Sequence, residues 1–188
     1  RSPGRSHMKR TALHRGVIAL IMAPLLLAGC TGMPTGVEPV KGFELDRYLG
    51  KWYEIARLDH SFERGMQNVT AEYSMRDDGG VRVVNRGYIT DKGEWDEAEG
   101  KAYFVEESDQ GYLKVSFFGP FYGSNVVIEL DDDYRYAVIS GPDTSYLWLL
   151  AREPVIDEAL IEHFKTRARE LGFNPDDLIV VEHDRKQG

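Results

Sequence analysis

The chain has 188 residues, a formal net charge of −8 at pH 7, 42% hydrophobic residues and one cysteine. This length suits a single domain with one buried core. The acidic balance argues against nucleic-acid binding, which requires a basic surface to neutralise phosphates. A single cysteine excludes an internal disulfide framework.

The chain begins with two segments that we do not expect to belong to the fold. Residues 1–7 carry no periodicity, and we interpret them as a non-native leader because a plausible native start follows at Met8. A basic stretch then leads to an apolar run from Val17 to Leu27 and to small residues, which is typical of a secretory signal peptide, here residues 8–29. The apolar run is about half the roughly 20 residues of a membrane-spanning helix, so it cannot serve as a stable anchor.

Cys30 ends this segment in the sequence Leu27-Ala28-Gly29-Cys30, which resembles the bacterial lipobox. The resemblance implies that the Cys30 thiol is acylated and that Cys30 becomes the first mature residue. Thr31 at the next position implies lipid anchoring in the outer membrane, on its periplasmic face. Cleavage would remove five basic residues and no acidic one, which takes the formal net charge from −8 to −13. The alternative is a buried or disulfide-bonded Cys30, although an exported chain with one cysteine has no internal partner.

The remaining sequence predicts one domain over residues 43–188. Residues 31–42 are rich in Gly, Pro, Thr and Val without periodicity, which predicts a short flexible tether after the lipidated cysteine. Short alternating segments then recur between turn sequences such as Gly141-Pro142-Asp143. Eight strands are predicted near Lys51–Asp59, Asn68–Met75, Val81–Thr90, Glu94–Glu106, Tyr112–Phe118, Asn125–Leu130, Tyr134–Ser140 and Tyr146–Arg152.

One helix and one short strand are predicted after the eighth strand. Pro154 suits a first helical turn, and apolar residues follow every three to four positions until Gly172. The last strand is predicted at Leu178–Val181. The seventh and eighth strands are apolar on both faces, so the helix is expected to cover them and the first strand from outside. Closing eight antiparallel strands into an up-and-down β-barrel removes exposed edges and leaves space for one small ligand. A flat sandwich is the alternative.

The segment Gly50-Lys51-Trp52-Tyr53-Glu54 resembles the Gly-x-Trp signature of lipocalins, in the form of their bacterial and apolipoprotein-D-like subgroup. Further matches follow in the family's order at Val115–Pro120, Gly141-Pro142-Asp143 and Leu149–Arg152. Ser140-Gly141-Pro142-Asp143 replaces the family's usual Thr-Asp-Tyr, so this match is softer. The resemblance implies a structural role for Gly50, Trp52 and Arg152, with the Arg152 side chain packed over Trp52 inside the closed end. The alternative is that Trp52 stacks on a ligand.

The resemblance also fixes which strand residues face inward. Counting by twos from Trp52 and Arg152 gives a set that mixes large aromatic residues with Gly and Ala, which predicts an unfilled interior. The alternative is a fully packed core. The predicted ligand-binding residues are Glu54, Ala71, Tyr73, Val83, Asn85, Phe104, Leu113, Val115, Phe117, Ile128, Ile139, Tyr146 and Trp148, with Ala56, Gly100, Ala102, Val126 and Ala137 on the same face.

Glu54 is the one carboxylate that this count places inside an apolar barrel, where a bare charge costs several kcal/mol. The count puts Arg135 on the inward parity and makes it the simplest partner, whereas Arg57 is nearer but outward. The alternatives are contact with a ligand headgroup and an exposed Glu54.

Bacterial members of the resembling family bind fatty acids or lysophospholipids, for lipid storage or transport in envelope maintenance or stress, and the same function is expected here. The mouth loops are expected at residues 59–67 and 119–124. No cofactor or metal is expected, and a homodimer is left open.

Two other functions are weighed. A lipocalin-fold enzyme acting on a small apolar substrate is the main alternative, but the sequence offers no nucleophile–base pair or metal-ligand spacing. His60-Ser61 is expected to be a solvated loop dipeptide. An assembly factor would need an exposed apolar patch, which the strand alternation does not predict.

Overall fold

The computed structural model describes residues 31–185. Cys30 and the predicted signal peptide lie outside the described residues. Within them, the order is a short helix, eight strands, a second helix, a 3-10 turn and a ninth strand. Their bounds are α1 Leu45–Tyr48, β1 Gly50–Leu58, β2 Met66–Met75, β3 Val81–Ile89, β4 Glu94–Phe104, β5 Tyr112–Phe118, β6 Phe121–Leu130, β7 Tyr136–Ser140, β8 Leu147–Ala151, α2 Glu158–Glu170, the 3-10 turn Pro175–Asp177 and β9 Leu178–Val180.

The first eight strands form a closed antiparallel barrel. Each strand pairs with the next along the chain, and β1 pairs with both β2 and β8, which closes the sheet. The short β9 pairs with the end of β1 at Ala56–Leu58. Closure satisfies the edge hydrogen bonds that a flat sandwich would leave open. The predicted eight-stranded up-and-down barrel is confirmed.

Helix α2 packs on the outside of the barrel, as predicted. Phe164 and Ala168 of α2 are buried in a cluster with Ile55, Val138 and Leu149 from β1, β7 and β8. The helix begins at Glu158, so the predicted start at Pro154 was too early. Within residues 31–185, no helix has the length and apolarity that a membrane crossing requires.

Residues 31–42 lie against the barrel, which differs from the predicted flexible tether. Val40 N donates to Val127 O at 2.8 Å, and Val40 O accepts from Gly111 N at 2.9 Å. Val37 is buried beside the helix-covered face of the barrel. Backbone hydrogen bonds hold this segment, and a pattern of side chains does not reveal such bonds.

A β-bulge in β1 changes which residues face inward. The pairing of β1 with β8 shifts register between Glu54 and Ala56. Ala56 therefore packs in the outer cluster beneath α2, and Arg57 becomes fully buried and bonds to the Glu54 side chain. The expected inward Ala56 and outward Arg57 were both wrong, because a bulge adds one residue and reverses the parity beyond it.

The predicted inward orientations of Val126 and Ile128 were also wrong. Val126 and Ile128 contact the outer cluster, whereas Val127 packs in the interior cluster. The pairing of β6 with β7 shifts register between Val127 and Glu129, so a count by twos cannot be carried along β6. Ile128 therefore does not belong to the barrel lining.

The other strands follow the predicted parity. The interior cluster contains most of the residues that were placed inside, and the half-buried ones pack against its margin. Members of the predicted ligand-binding set in this cluster are Ala71, Tyr73, Val83, Phe104, Leu113, Val115, Phe117, Ile139 and Trp148. Their inward orientation is confirmed, and their contact with a ligand stays a prediction.

Candidate functional site

The closed end of the barrel is sealed by Arg152 and Trp52. The Arg152 guanidinium carbon lies 3.8 Å from the centre of the Trp52 ring, which is the predicted cation–π contact. The same guanidinium donates to the carbonyls of Lys51 at 2.9 Å and Leu49 at 3.0 Å. Trp52 is fully buried, and its indole nitrogen donates to Tyr48 O at 2.8 Å. These contacts fix α1 as a floor beneath the interior.

Gly50 makes the sharp turn from this floor into β1. Its φ angle is +93°, a conformation that residues with a Cβ rarely adopt. A Cβ at this position would also lie 3.5 Å from Arg152 Nη1. The structural roles expected for Gly50, Trp52 and Arg152 therefore have a common basis in the closed end.

A cavity of about 50 Å³ lies above the floor. Such a volume holds one or two water molecules, whereas ligand cavities measure about 300–1,000 Å³. The predicted residues Tyr73, Val83, Asn85, Leu113, Val115 and Phe117 line it, together with Leu45, Tyr48, Val81, Ala102 and Asn125. The interior is thus largely filled in this conformation, and an acyl chain requires side chains to move.

Phe117 fills much of the space that small residues were expected to leave. A Cβ added to Gly100 would lie 2.8 Å from the Phe117 ring, so this ring covers Gly100 directly. Phe117 and Val115 are only half-buried, which leaves them less restrained than the core around Trp52. Rotation of Phe117 away from Gly100 is the simplest way to enlarge the cavity.

Two tyrosines share the polar part of the cavity wall with Asn85 and Asn125. The rings of Tyr48 and Tyr73 lie 5.1 Å apart. Burial raises the pKa of Tyr73 to about 12, and the negative charges of Glu63 and Glu54 add to this rise. Both carboxyl groups therefore lie within electrostatic reach of the cavity wall.

These carboxyl groups belong to a buried polar cluster at the open end, formed by Glu54, Arg57, His60 and Glu63. Their exposed fractions are 3%, 1%, 6% and 7%. Arg57 Nη1 donates to Glu54 Oε1 at 2.8 Å, and Arg57 Nη2 donates to Glu63 O at 2.8 Å. The predicted partner Arg135 instead binds Asp131 at the surface. Arg57 is the partner because the β1 bulge turns it inward.

Glu63 lies in the β1–β2 loop with its carboxylate facing this cluster. Its Oε2 atom accepts from Trp148 Nε1 at 3.1 Å and lies 2.8 Å from His60 Nε2. Burial raises the pKa of Glu54 well above its ordinary value, the charge of Glu63 raises it further, and Arg57 opposes the rise. The raised pKa favours the protonated form of Glu54.

His60 was expected to be solvated, and this was wrong. Its ring stacks on Phe62 with 3.9 Å between centroids and lies 5.3 Å from the Trp148 ring. Tyr146, which was predicted to face the ligand, is half-buried beside these rings and stacks with Trp148. These aromatic side chains exclude water from His60. The burial could not be predicted, because the alternation of apolar residues along strands does not extend into a loop.

Residues 43–183 match a family model described as a lipocalin-like domain. The chain belongs to the lipocalin family. It is 61% identical over 166 residues to outer membrane lipoprotein Blc of Vibrio cholerae, covering 88% of this chain and 97% of that protein. It is 48% identical over 168 residues to Blc of Escherichia coli K12, covering 88% and 95%. Insecticyanin from the tobacco hornworm superposes with a TM-score of 0.64 at 22% identity, covering 80% of this chain and 86% of that one, which supports the fold.

The mouth of this lipocalin carries exposed aromatic residues that strand alternation did not predict. Phe118 and Phe121 are 77% and 76% exposed and pair across the β5–β6 turn. Strand β6 begins at Phe121, so the predicted mouth loop over residues 119–124 is shorter than expected. Phe62 of the β1–β2 loop is also exposed.

Arg57, His60 and Glu63 are the mouth residues that sequence reasoning missed. The sequence feature that could have indicated them is the density of charged residues between Glu54 and Arg64, where the first strand leads into a loop. A count by twos discards this feature, because it assigns every second residue to solvent. Among residues 31–185, no three His, Cys, Asp or Glu side chains are grouped as a metal ion requires.

Proposed function

We propose that this lipocalin is a lipid-anchored outer-membrane protein that binds a fatty acid or a lysophospholipid in its barrel. The name of the Blc relatives supports the outer membrane. The Leu-Ala-Gly-Cys ending, which lies outside the described residues, supports acylation of Cys30 and the periplasmic face. Lipid storage or transport in envelope maintenance or stress is the corresponding role.

The observation that carries this proposal is a barrel whose apolar interior is sealed at one end and lined by half-buried side chains towards the other. An acyl chain would enter from the open end and displace Phe117 and Val115. Burial stabilises such a chain by about 25 cal/mol per Å² before ordering costs. Micromolar affinity requires roughly 8 kcal/mol, which one acyl chain can supply.

Binding is proposed rather than catalysis, because the Blc relatives carry the name of a lipoprotein and the interior is mostly apolar. The enzyme alternative predicts turnover of a small apolar substrate. Incubating the protein with fatty acid or lysophospholipid and recovering each unchanged supports binding. A time-dependent product would contradict it.

A homodimer is a second part of the proposal. Phe118 and Phe121 offer apolar surface at the mouth that a second copy could cover. Sedimentation of the wild type and of Phe118→Ser with Phe121→Ser tests this part. Dissociation of a wild-type dimer in the double variant supports it, and a monomeric wild type contradicts it.

The ligand proposal is tested by titration with oleate and with a lysophospholipid. Tryptophan emission should change saturably, and Trp148→Phe should remove most of the change because Trp148 faces the interior at the open end. Trp95→Phe is the matched control, since Trp95 contacts Tyr88 and Arg86 on the outer face. Absence of saturable binding would refute the proposal.

A further inference from the structure

The Glu63 carboxylate occupies a buried polar pocket at the mouth, beside Trp148 and His60. We propose that this pocket is the site for the anionic headgroup of the ligand, a carboxylate or a phosphate, and that Glu63 fills it only while the barrel is empty. The inference rests on the proposed function, because the headgroup needs an alkyl chain in the barrel behind it.

Two nitrogen groups face the Glu63 carboxylate, one from β8 and one from its own loop. Trp148 Nε1, on β8, can only donate, and it reaches Glu63 Oε2 at 3.1 Å. His60 Nε2 lies 2.8 Å from the same oxygen, yet in the described part of the chain neither ring nitrogen of His60 has a partner in hydrogen-bonding geometry. Glu63 is therefore an imperfect occupant, and an oxygen anion placed differently would satisfy His60 better.

Arg57 supplies the positive charge of the pocket. Its guanidinium is 1% exposed and donates to Glu54 Oε1, Glu63 O and Met66 O. Arg57 Nε has no hydrogen-bond partner among residues 31–185. This buried cation retains donor capacity for an incoming oxygen, and bonds of this charge-assisted kind are the stronger ones.

Charge balance selects an anion for this exchange. A buried cation that loses its counter-charge is strongly destabilised. A ligand with one negative charge replaces Glu63 without changing the buried charge, whereas a neutral or cationic headgroup would leave Glu54 alone to balance Arg57.

The pocket is continuous with the place proposed for the alkyl chain. The Trp148 side chain that faces Glu63 also packs against the interior cluster. Tyr73 lines the cavity and experiences the charges of both Glu54 and Glu63. A headgroup at the Glu63 position would thus leave its chain directed along the barrel.

Glu63 can leave because its loop is lightly packed. Between β1 and β2 the chain turns through residues 59–65, and Phe62 beside Glu63 is 56% exposed. The hydrogen bond from Glu63 N to His60 O is long, at 3.3 Å. Arg57 holds the two carbonyls at Glu63 and Met66, so ligand contact with Arg57 would also loosen this loop.

The test measures the dissociation constants of laurate, dodecyl phosphate and dodecanol for four proteins by calorimetry. Glu63→Gln removes the internal anion and should lower the dissociation constant of laurate or of dodecyl phosphate by about tenfold. The dissociation constant of dodecanol should not change. Trp148→Phe removes one donor and should weaken the anions selectively. Asp59→Asn is the matched control, because it removes an equal charge from an exposed position of the same loop and should change nothing.

The comparison of laurate with dodecyl phosphate identifies the headgroup as a carboxylate or a phosphate. The headgroup is that of the anion whose affinity Glu63→Gln increases more. If Glu63→Gln and Asp59→Asn change the dissociation constants of the anions equally while dodecanol still binds, the inference is overturned and the proposed function stands. Failure of all three probes to bind the wild type would instead refute the proposed function.

A measurement on the wild type avoids any variant that fails to fold. Amide hydrogen exchange of residues 60–66 should accelerate with saturating laurate or dodecyl phosphate and not with dodecanol. Identical exchange with all three probes would contradict the displacement of Glu63.

Discussion

Replacing Glu54 tests the buried pair at the mouth. Glu54→Leu removes the carboxyl oxygen that lies 2.8 Å from Arg57 Nη1 and leaves a guanidinium that is 1% exposed. Because burial favours protonated Glu54, this contact is a hydrogen bond to a charged group, and its loss costs about 1.5–3 kcal/mol. For a domain of this size each kcal/mol lowers the melting temperature by about 2–4 °C, so the loss should reach about 3–12 °C.

Glu54→Gln separates the hydrogen bond from the charge. Its amide oxygen can still accept from Arg57, and its NH₂ group can donate to Glu63 as a protonated Glu54 would. The cost should be about 1 kcal/mol or less. Thermal and urea unfolding of both variants give the values, with Glu72→Leu on the exposed face of β2 as the control. If Glu54→Leu melts like wild type, the pair does not stabilise the mouth and the reasoning is refuted.

Three further predictions concern the pH dependence of Glu54, the closed end of the barrel and the lipid anchor. Because the pKa of Glu54 is raised above 4.5 in the folded state, its stabilising contribution is complete below about pH 4.5 and is lost as pH rises through the raised pKa. The free energy of unfolding of wild type should therefore fall relative to that of Glu54→Gln as pH rises. A difference between the two proteins that does not change with pH would contradict this. Arg152→Met should cost about 3 kcal/mol through the lost Trp52 contact and the stranded carbonyls, as measured by urea unfolding; an unchanged midpoint would count against the sealed floor. Cys30→Ala should release the protein to the soluble periplasm on fractionation, and membrane retention would rule out lipid anchoring through Cys30.

Strand number, closure and the position of α2 could be predicted because they depend on patterns that extend over many residues. Turn sequences separate the strands, and the double-sided apolarity of β7 and β8 predicts the outer helix. The cation–π contact of Arg152 and Trp52 was predicted from the family signature. A local irregularity such as a β-bulge does not change any of these features.

The details of the mouth could not be predicted because single residues decide them. One bulge in β1 turned Arg57 inward, and one in β6 turned Ile128 outward. No residue type in the sequence marks either bulge, and each reverses a count by twos. The volume of the interior was similarly inaccessible, since it depends on the rotamer of Phe117 over Gly100.

Entry of an acyl chain into the barrel can be measured by fluorescence quenching with a dibrominated stearate. Bromine quenches tryptophan only at short range, and Trp52 and Trp148 belong to the interior cluster whereas Trp95 contacts outer side chains. Saturable quenching at one equivalent, preserved in Trp95→Phe, is the predicted result. Quenching that disappears in Trp95→Phe would place the chain on the outer surface and contradict its entry into the barrel.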